Sequence, residues 1–374
     1  MRAGRRHLGV LGVSLIACLA MIDGGAAAWP AGTALASPAA PAQGAPERAA
    51  ATGPCKGTGA TSITHVIVLA EENQSETIVK KASMPYLKSL AKSCGLATNA
   101  HNLTHPSTGN YLGLVSGQVQ GKAWYKDGGP GSYPQSQESL FRQVDLAGKT
   151  WGVYAQSMPS PCDADNSGVY YVRHTAAPYF DDVNGRGGSS DDSCQTNDVP
   201  LGNPSAGAGN NFYNALYGAG GANLPAFSLV VPDVCHDLHG QSGTCSGSQL
   251  YANADQFLQT WVGLIVSSPD YVAGNTLLVV TWDEGRGPDE TDPEACWAET
   301  IPGKPSGKPS CWIADVVVSA RTPAAARSAT AYNHYDVLQA IETLLGLSFL
   351  PNDPSVSGSP NGTAATFLSD FRLA

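Results

Sequence analysis

The sequence predicts an α/β fold, a three-layer α/β/α sandwich on a mainly parallel central sheet, from three observations. Ile63, Val66, Ile67, Val68 and Leu69 form a β-branched apolar run with almost no alternation, the pattern of a strand covered on both faces. Phe227 to Val231 and Thr276 to Trp282 are further apolar runs of strand length. Stretches with apolar residues at helical spacing separate these runs, and strands that alternate with helices build parallel sheets.

Residues 1–36 read as a signal peptide. Arg2, Arg5 and Arg6 precede an apolar segment from Leu8 to Ile22, and Ala34-Leu35-Ala36 offers a cleavage site. The expected location is therefore secreted or cell-envelope. Leu15-Ile16-Ala17-Cys18 resembles a lipoprotein box, so anchoring at Cys18 is a minor alternative. Residues 37–60, rich in Ala, Pro and Gly, are expected to be a flexible leader.

Residues 61–350 are expected to be the catalytic domain. After the first strand, Met84, Leu87, Leu90 and Ala91 mark a helix stopped by Gly95. A second helix is predicted from Ser139 to Ala147, with Leu140 and Val144 inward and Gly148 as its stop, followed by a strand from Thr150 to Ala155. Residues 121–136 and 156–223 are Gly, Ser, Asn, Asp and aromatic residues without a period. Loops of that length are usually functional or stapled, and these are expected to roof the site and decide the substrate. The strongest helix runs from Leu250 to Ser267, with Leu250, Ala254, Phe257, Leu258, Trp261, Leu264 and Ile265 on one side. Residues 286–312 are a Pro/Gly-rich insertion with four acids between Arg286 and Glu294, and Val316 to Val318 is the last predicted strand. Asn333 is placed to cap a final helix with Val337, Leu338, Ile341, Leu344 and Leu345 inward and Gly346 at its end. Residues 351–374 read as a loosely packed tail, and no internal repeat is present.

Of 374 residues, 42% are hydrophobic, ample for a sizeable core. Without residues 1–36, which hold three arginines and one aspartate, 18 basic and 30 acidic residues remain, a formal charge of −12. Such a surface attracts neither nucleic acid nor an anionic membrane, and no stable membrane insertion is expected once the signal is removed. Eight cysteines remain, Cys55, Cys94, Cys162, Cys194, Cys235, Cys245, Cys296 and Cys311. An even number in an exported chain points to disulfides, although eight cysteines permit about 105 pairings. Sequential neighbours are the expected partners, Cys55 with Cys94 and Cys296 with Cys311 among them. Without a C-x-x-C pair, thiol-bound metal is a poor alternative.

All three apolar strands end in acid. Glu71, Glu72 and Asn73 follow the first, Asp233 follows the second after Pro232, and Asp283 and Glu284 follow the third. Ligands of open α/β sheets sit outside the carboxyl ends of the strands. Asp233 alone reads as a turn. Carboxylates held as close as Glu72 and Asp283-Glu284 require a cation. Oxygen-rich ligands with one amide suit a divalent ion, with zinc, calcium, magnesium and manganese all open. After His105-Pro106, Ser107 stands where a helix N-cap belongs, before Thr108-Gly109-Asn110 and the apolar Tyr111, Leu112, Leu114 and Val115. The backbone N–H groups there favour an alkoxide or a phosphate, and a plain helix cap is the other reading.

The spans HVIVLAEEN, THPSTGNYLGLVSG, VPDVCHDLHG, VVTWDEG and NHYDVLQAIETLLGL resemble, in the same order, blocks of the bacterial secreted phosphoesterases. That family includes acid phosphatases, some acting on phosphatidylinositol 3-phosphate, and phospholipases C, and is a distant relative of alkaline phosphatase. The resemblance implies an alkaline-phosphatase-like fold and an exported, metal-dependent phosphomonoesterase that works through a phosphoserine. It places Glu72, Asn73, Asp283 and Glu284 on metal positions, Ser107 on the nucleophile, and Asn110 on a donor to phosphate. By the same resemblance His239 and His334 bind phosphate or protonate the leaving oxygen. A second metal held by Asp233, Asp237, His239 and His334 is the alternative. His105, beside the nucleophile, and His174, in a segment resembling a family loop, are candidate substrate contacts, whereas His65, His101 and His236 read as structural. The chain departs from the family in two places, at Gly109, where proline is usual and a looser loop is implied, and in the insertion at 286–312.

The partner these readings imply is a phosphate ester, lipid phosphates included. A phospholipase C-type phosphodiesterase is the rival within the class and requires an apolar rim, for which Trp124, Tyr125, Tyr170, Tyr171, Tyr179 and Phe180 are the candidates. A relative that binds phosphate ligands without turnover is the rival from another class.

Overall fold

The computed structural model describes residues 53–59, 62–218, 223–286, 311–351 and 364–374. The expected signal peptide, most of the leader, most of the acidic insertion and Cys296 lie outside these residues.

In chain order the first half holds β1 (His65–Glu71), α1 (Pro85–Ser93), β2 (Gly95–His101), α2 (Thr108–Leu114), α3 (Leu140–Leu146), β3 (Trp151–Ala155), α4 (Cys194–Asn197), β4 (Asp198–Pro200) and α5 (Asn211–Tyr217). The second half holds β5 (Phe227–Val231), α6 (Gln249–Ser267), α7 (Pro269–Ala273), β6 (Thr276–Trp282), β7 (Trp312–Val318), β8 (Arg327–Ser328), β9 (Tyr332–Asn333), α8 (His334–Leu345) and α9 (Ala364–Asp370). The strands form one sheet in the order β4-β3-β5-β1-β6-β7-β2-β8, with β9 also on β2. Every pairing is parallel except those of β7 with β6 and β2. Helices α1, α5, α6 and α7 pack among themselves, and α2, α8 and α9 form a second group, giving the three-layer sandwich.

The strand β1 sits between β5 and β6. Val66, Ile67, Val68 and Leu69 have no exposed surface, and burying each such side chain stabilises the fold by about 1.5–3 kcal/mol. The order β5-β1-β6 also makes neighbours of the three acid-ended strands. The amide of Glu72 donates to the Asp237 carbonyl at 2.8 Å and that of Asp283 to the Glu71 carbonyl at 2.9 Å, tying the three ends together.

Long-range contacts replace local capping at α1. Its N-cap, Met84, offers no side-chain acceptor, and the Asp255 carboxylate on α6 instead accepts from Tyr86 N at 3.0 Å and Leu87 N at 2.8 Å. Asn333 caps α8 with a full capping box closed by Asp336, and Gly346 ends it in a left-handed turn.

Four sequence expectations are corrected. Gly95 opens β2 rather than merely ending a helix. A Cβ there would lie 2.7 Å from the Phe371 ring and 3.0 Å from Val317, so glycine allows the close packing. The strand expected at Val316 to Val318 extends from Trp312 and is antiparallel. Residues 156–223 are not all loop, because β4 extends the sheet edge there and α5 packs on α6. The end of the chain is not loose either. Helix α9 packs on α8 with Phe367 and Phe371 fully buried, an apolar anchor that outweighs the polar residues before it.

Cysteines pair with sequential neighbours, Cys55–Cys94, Cys162–Cys194 and Cys235–Cys245. The first, with a separation of 39 residues, stabilises by about 3–4 kcal/mol on the chain-entropy account. Cys311 is also disulfide-bonded, and its expected partner lies outside the described residues.

Candidate active site

Ser107 precedes α2 with helical backbone angles, and its side chain makes no cap bond. Its hydroxyl instead donates to Glu72 Oε2 at 3.1 Å. The plain-cap reading is therefore set aside, and α2 has only seven residues, too few for its dipole to dominate. The other Glu72 oxygen accepts from the Tyr111 hydroxyl at 2.7 Å and lies 3.4 Å from His174 Nε2. His174 Nδ1 is 3.1 Å from Asp237 Oδ2. The ligand atoms of Glu72, His174 and Asp237 lie within 4.8 Å of one another.

On the β6 side, Asp283 Oδ1 accepts from Asn73 N at 3.0 Å, and the Asn73 side-chain amide donates to Glu284. Asn73 adopts φ 39, a left-handed conformation that asparagine tolerates better than most residues. Glu284 Oε2 is 2.8 Å from His105 Nδ1. Glu72, Asp237, Asp283 and Glu284 are all buried.

Burial is the main force on these carboxyls. It pushes Glu72 well up, with the charges of Asp283 and Asp237 adding to it. Asp237 rises for the same reason, opposed by the N–H of His239, and Asp283 rises through burial and the adjacent Glu284. Buried Asp283 Oδ2 has no hydrogen-bond partner. Four crowded carboxyls, an imidazole and an unpartnered carboxylate oxygen match the donor set of a divalent cation, so the residues present fit a metal.

The sequence of residues 65–348 matches the phosphoesterase family. The chain belongs to that family. A phosphatidylinositol-3-phosphatase of Mycobacterium tuberculosis is 28% identical over 231 residues, 60% of this chain and 65% of that protein. The match thus spans just under two thirds of the relative's length. A crystal structure of an alkaline phosphatase superfamily protein from Vibrio parahaemolyticus superposes with a TM-score of 0.52 at 13% identity, covering 78% of this chain and 69% of that one. The fold is accordingly alkaline-phosphatase-like.

Other residues singled out from the phosphoesterase motifs take varied places. Asn110 Oδ1 accepts from Leu103 N at 2.9 Å and Thr104 N at 3.1 Å, while its Nδ2 donates to Thr104 O at 2.8 Å. These contacts brace the loop before Ser107. His334 Nε2 donates to the Asp283 carbonyl at 2.8 Å, and burial pushes its pKa down to about 4, so the ring is a neutral support of the β6 end. His239 donates from Nδ1 to the Gly240 carbonyl at 2.7 Å, leaving Nε2 to accept from Arg173 Nη2 at 2.9 Å. Burial lowers its pKa too. Asp233 turns to Ser157 and His236, each at 2.7 Å, so those partners draw it away from the cluster.

Gly109 proves tightly packed rather than loose. A Cβ there would meet Thr104 Cγ2 at 2.5 Å and the Trp124 carbonyl at 3.0 Å, which excludes any side chain, proline included. Of the six aromatics offered as an apolar rim, Tyr170, Tyr179 and Phe180 are buried in the core, whereas Trp124, Tyr125 and Tyr171 are half-buried. Sequence reasoning missed three residues. Tyr111 reads in the sequence only as an apolar helix position. Asp127 accepts from the Thr108 amide at 3.2 Å and hydroxyl at 2.9 Å. Arg173 lies with Nε 3.3 Å from Asp127 Oδ2 and its guanidinium 4.3 Å over the Tyr171 ring. Its only sequence signal was its position next to His174.

Proposed function

We propose that this protein is an exported, metal-dependent phosphomonoesterase in which Ser107 attacks phosphorus. The observation that carries the reading is the 3.1 Å hydrogen bond from the Ser107 hydroxyl to Glu72, at the point where three acid-ended strands meet. A divalent ion held by Glu72, Asn73, Asp283 and Glu284, when bound, would offset their repulsion and lower the pKa of a neighbouring hydroxyl. Asp237 and His174 adjoin that set.

The chain's own groups do the rest. Glu72 orients the Ser107 oxygen, and Tyr111 holds Glu72. As the Oγ–P bond forms, the bond from phosphorus to the alcohol oxygen breaks, and water then hydrolyses the phosphoserine. The Arg173 guanidinium faces the negative phosphoryl oxygens, which planar paired donors suit. Neutral His239 accepts from Arg173 and holds that guanidinium in place, and the departing oxygen takes its proton from water. Disulfides support an oxidising compartment, and among the described residues no helix is long and apolar enough to cross a membrane.

The test is phosphate release from p-nitrophenyl phosphate by the full chain, before and after chelation and with divalent ions restored. Ser107→Ala is expected to lower kcat/KM by about a thousandfold or more. Undiminished turnover by that variant would remove the mechanism.

A further inference from the structure

The Cys162–Cys194 disulfide differs from the other two described pairs in what lies against it. Asp198, at the start of β4, has no exposed surface, and its Oδ2 is 3.9 Å from Cys194 Sγ. Both sulfurs and an Asp198 oxygen lie within 4.8 Å of one another. Among the described residues, no acid or histidine stands as close to both sulfurs of Cys55–Cys94 or Cys235–Cys245. The other Asp198 oxygen, Oδ1, is buried without a hydrogen-bond partner.

That contact fixes where the proton is. A sulfur in a disulfide carries no hydrogen, so only a protonated carboxyl can donate across it. Burial pushes the Asp198 pKa well up, with the charge of Asp163 adding to it. Tyr170 is the other titratable group that the Asp198 charge reaches. A carboxylate kept for structure would be buried with donors around it, and here the neighbour is a disulfide.

The two sulfurs are also unequal. Cys162 is half-buried in a loop whose residues 164–168 are exposed, whereas Cys194 in α4 has no exposed surface. Cys162 is held at φ 51, a left-handed conformation that persists only where the surroundings enforce it. An attacking thiolate therefore reaches Cys162, and the sulfur that departs is Cys194, the one that faces Asp198.

We propose that Cys162–Cys194 is a thiol–disulfide exchange site, cleaved by a dithiol, with Asp198 as the proton donor to Cys194. One thiol of the dithiol gives its proton to water, and its sulfur bonds to Cys162 Sγ. The S–S bond breaks, its electron pair leaves on Cys194 Sγ, and that sulfur takes the Asp198 proton. The second thiol, deprotonated by water, displaces Cys162 as a thiolate. Cys162 and Asp198 each regain a proton from water, so the dithiol ends as a disulfide and the protein as two thiols. The bond closes a loop that holds Arg173 against His239 and His174 against Asp237, so cleavage is expected to lower phosphate release. That consequence rests on the part given to Arg173 in the proposed reaction; the exchange does not, and its test reads the two separately.

The full chain is treated with dithiothreitol over a range of pH, and alkylation with peptide mass mapping follows each disulfide in time. Each rate is divided by the concentration of dithiothreitol thiolate at that pH. For Cys162–Cys194 the normalised rate is expected to be highest at acid pH, where Asp198 holds its proton, and to fall as the proton is lost. Asp198→Asn is expected to lower the acid-pH rate about a hundredfold, the lower end of what a positioned proton donor contributes. A level profile in the unaltered chain, which requires no variant to fold, would overturn the proposal, as would an Asp198→Asn chain cleaved as fast as wild type. Phosphate release from p-nitrophenyl phosphate that falls in step with cleavage, and returns on reoxidation with oxidised glutathione, ties the bond to the reaction. Turnover unchanged by cleavage rejects that tie. A chain that releases no phosphate even before cleavage rejects the nucleophile, and the exchange rates still decide the proposal.

Discussion

Replacing Asn110 by alanine removes the brace between α2 and the loop that delivers Ser107. Two buried backbone N–H groups, those of Leu103 and Thr104, lose their partner, while the Thr104 carbonyl keeps the bond it accepts from Asn102 Nδ2 at 2.7 Å. A buried polar group left unsatisfied costs about 1–3 kcal/mol. With partial relaxation the two together cost about 2–4 kcal/mol, a fall in Tm of about 3–6 °C for a domain of this size. The same loosening lets Ser107 move relative to Glu72, and a displacement of about 1 Å can lower turnover a hundredfold. The inhibition constant of inorganic phosphate should barely change, because every Asn110 contact named here is to the loop. Asn110→Asp, which keeps both acceptor bonds and loses the donor, is expected to fall between wild type and alanine. Thermal melts, steady-state kinetics and phosphate inhibition on the three proteins decide the matter. A Tm within about 1 °C of wild type with phosphate inhibition weakened tenfold would refute the brace and make Asn110 the phosphate donor that the family resemblance implies.

Two further outcomes follow from packing and titration. Glu342 accepts from Leu350 N at 2.7 Å while its other oxygen is buried without a partner, and burial pushes its pKa from 4.5 up to about 8. The folded pKa is raised, so the stability this group contributes is complete below pH 4.5 and is lost as pH rises through about 8. Glu342→Gln should therefore match wild type in Tm at pH 4.5, exceed it by a few degrees above pH 8, and give parallel Tm curves only if the group does not titrate there. Gly95→Ala forces a Cβ to within 2.7 Å of the Phe371 ring and should destabilise by about 1–3 kcal/mol. In denaturant melts Phe371→Ala should absorb part of that penalty, whereas strictly additive losses would mean that Phe371 does not pack on Gly95.

The strands β1, β5 and β6 were legible because a strand buried on both faces must be apolar throughout. The strand β2 was not, because its sequence, Gly-Leu-Ala-Thr-Asn-Ala-His, has small and polar residues where a run would show, and its register shifts between Ala97 and Ala100. Phe367, in a seven-residue helix, and Phe371, one residue beyond its end, were a readable sign of α9 obscured by the polar stretch before it. At the site, Glu72 and Asp283 stood out by their places at strand ends, whereas Ser107 by position reads as a plain helix cap and took its catalytic reading from the family resemblance. Asp127 and Arg173 lie in segments without a period, so only the tertiary fold shows that they flank Thr108 and His239.

Why acids gather here follows from the strand order and from which local rules are broken. Sequence shows that three strands end in acid, but their meeting requires β5, β1 and β6 to be adjacent, a consequence of crossovers between segments more than 150 residues apart. The meeting is unfavourable by itself. Leu238, between Asp237 and His239, is held at φ 81, a left-handed conformation that costs a branched residue roughly 1–2 kcal/mol. Successive side chains of a strand point to opposite faces, and Glu71 makes none of the contacts to Ser107, Tyr111 and His174 that Glu72 makes. Both Glu71 carboxyl oxygens are buried without a hydrogen-bond partner. Burial, with Asp237 and Asp255 adding, pushes its pKa well up, a further cost of crowding acids at the strand ends. Strain and crowding of this kind persist only where the surrounding structure enforces them, and their concentration within a few residues of Ser107 is what a site kept for chemistry rather than for stability requires.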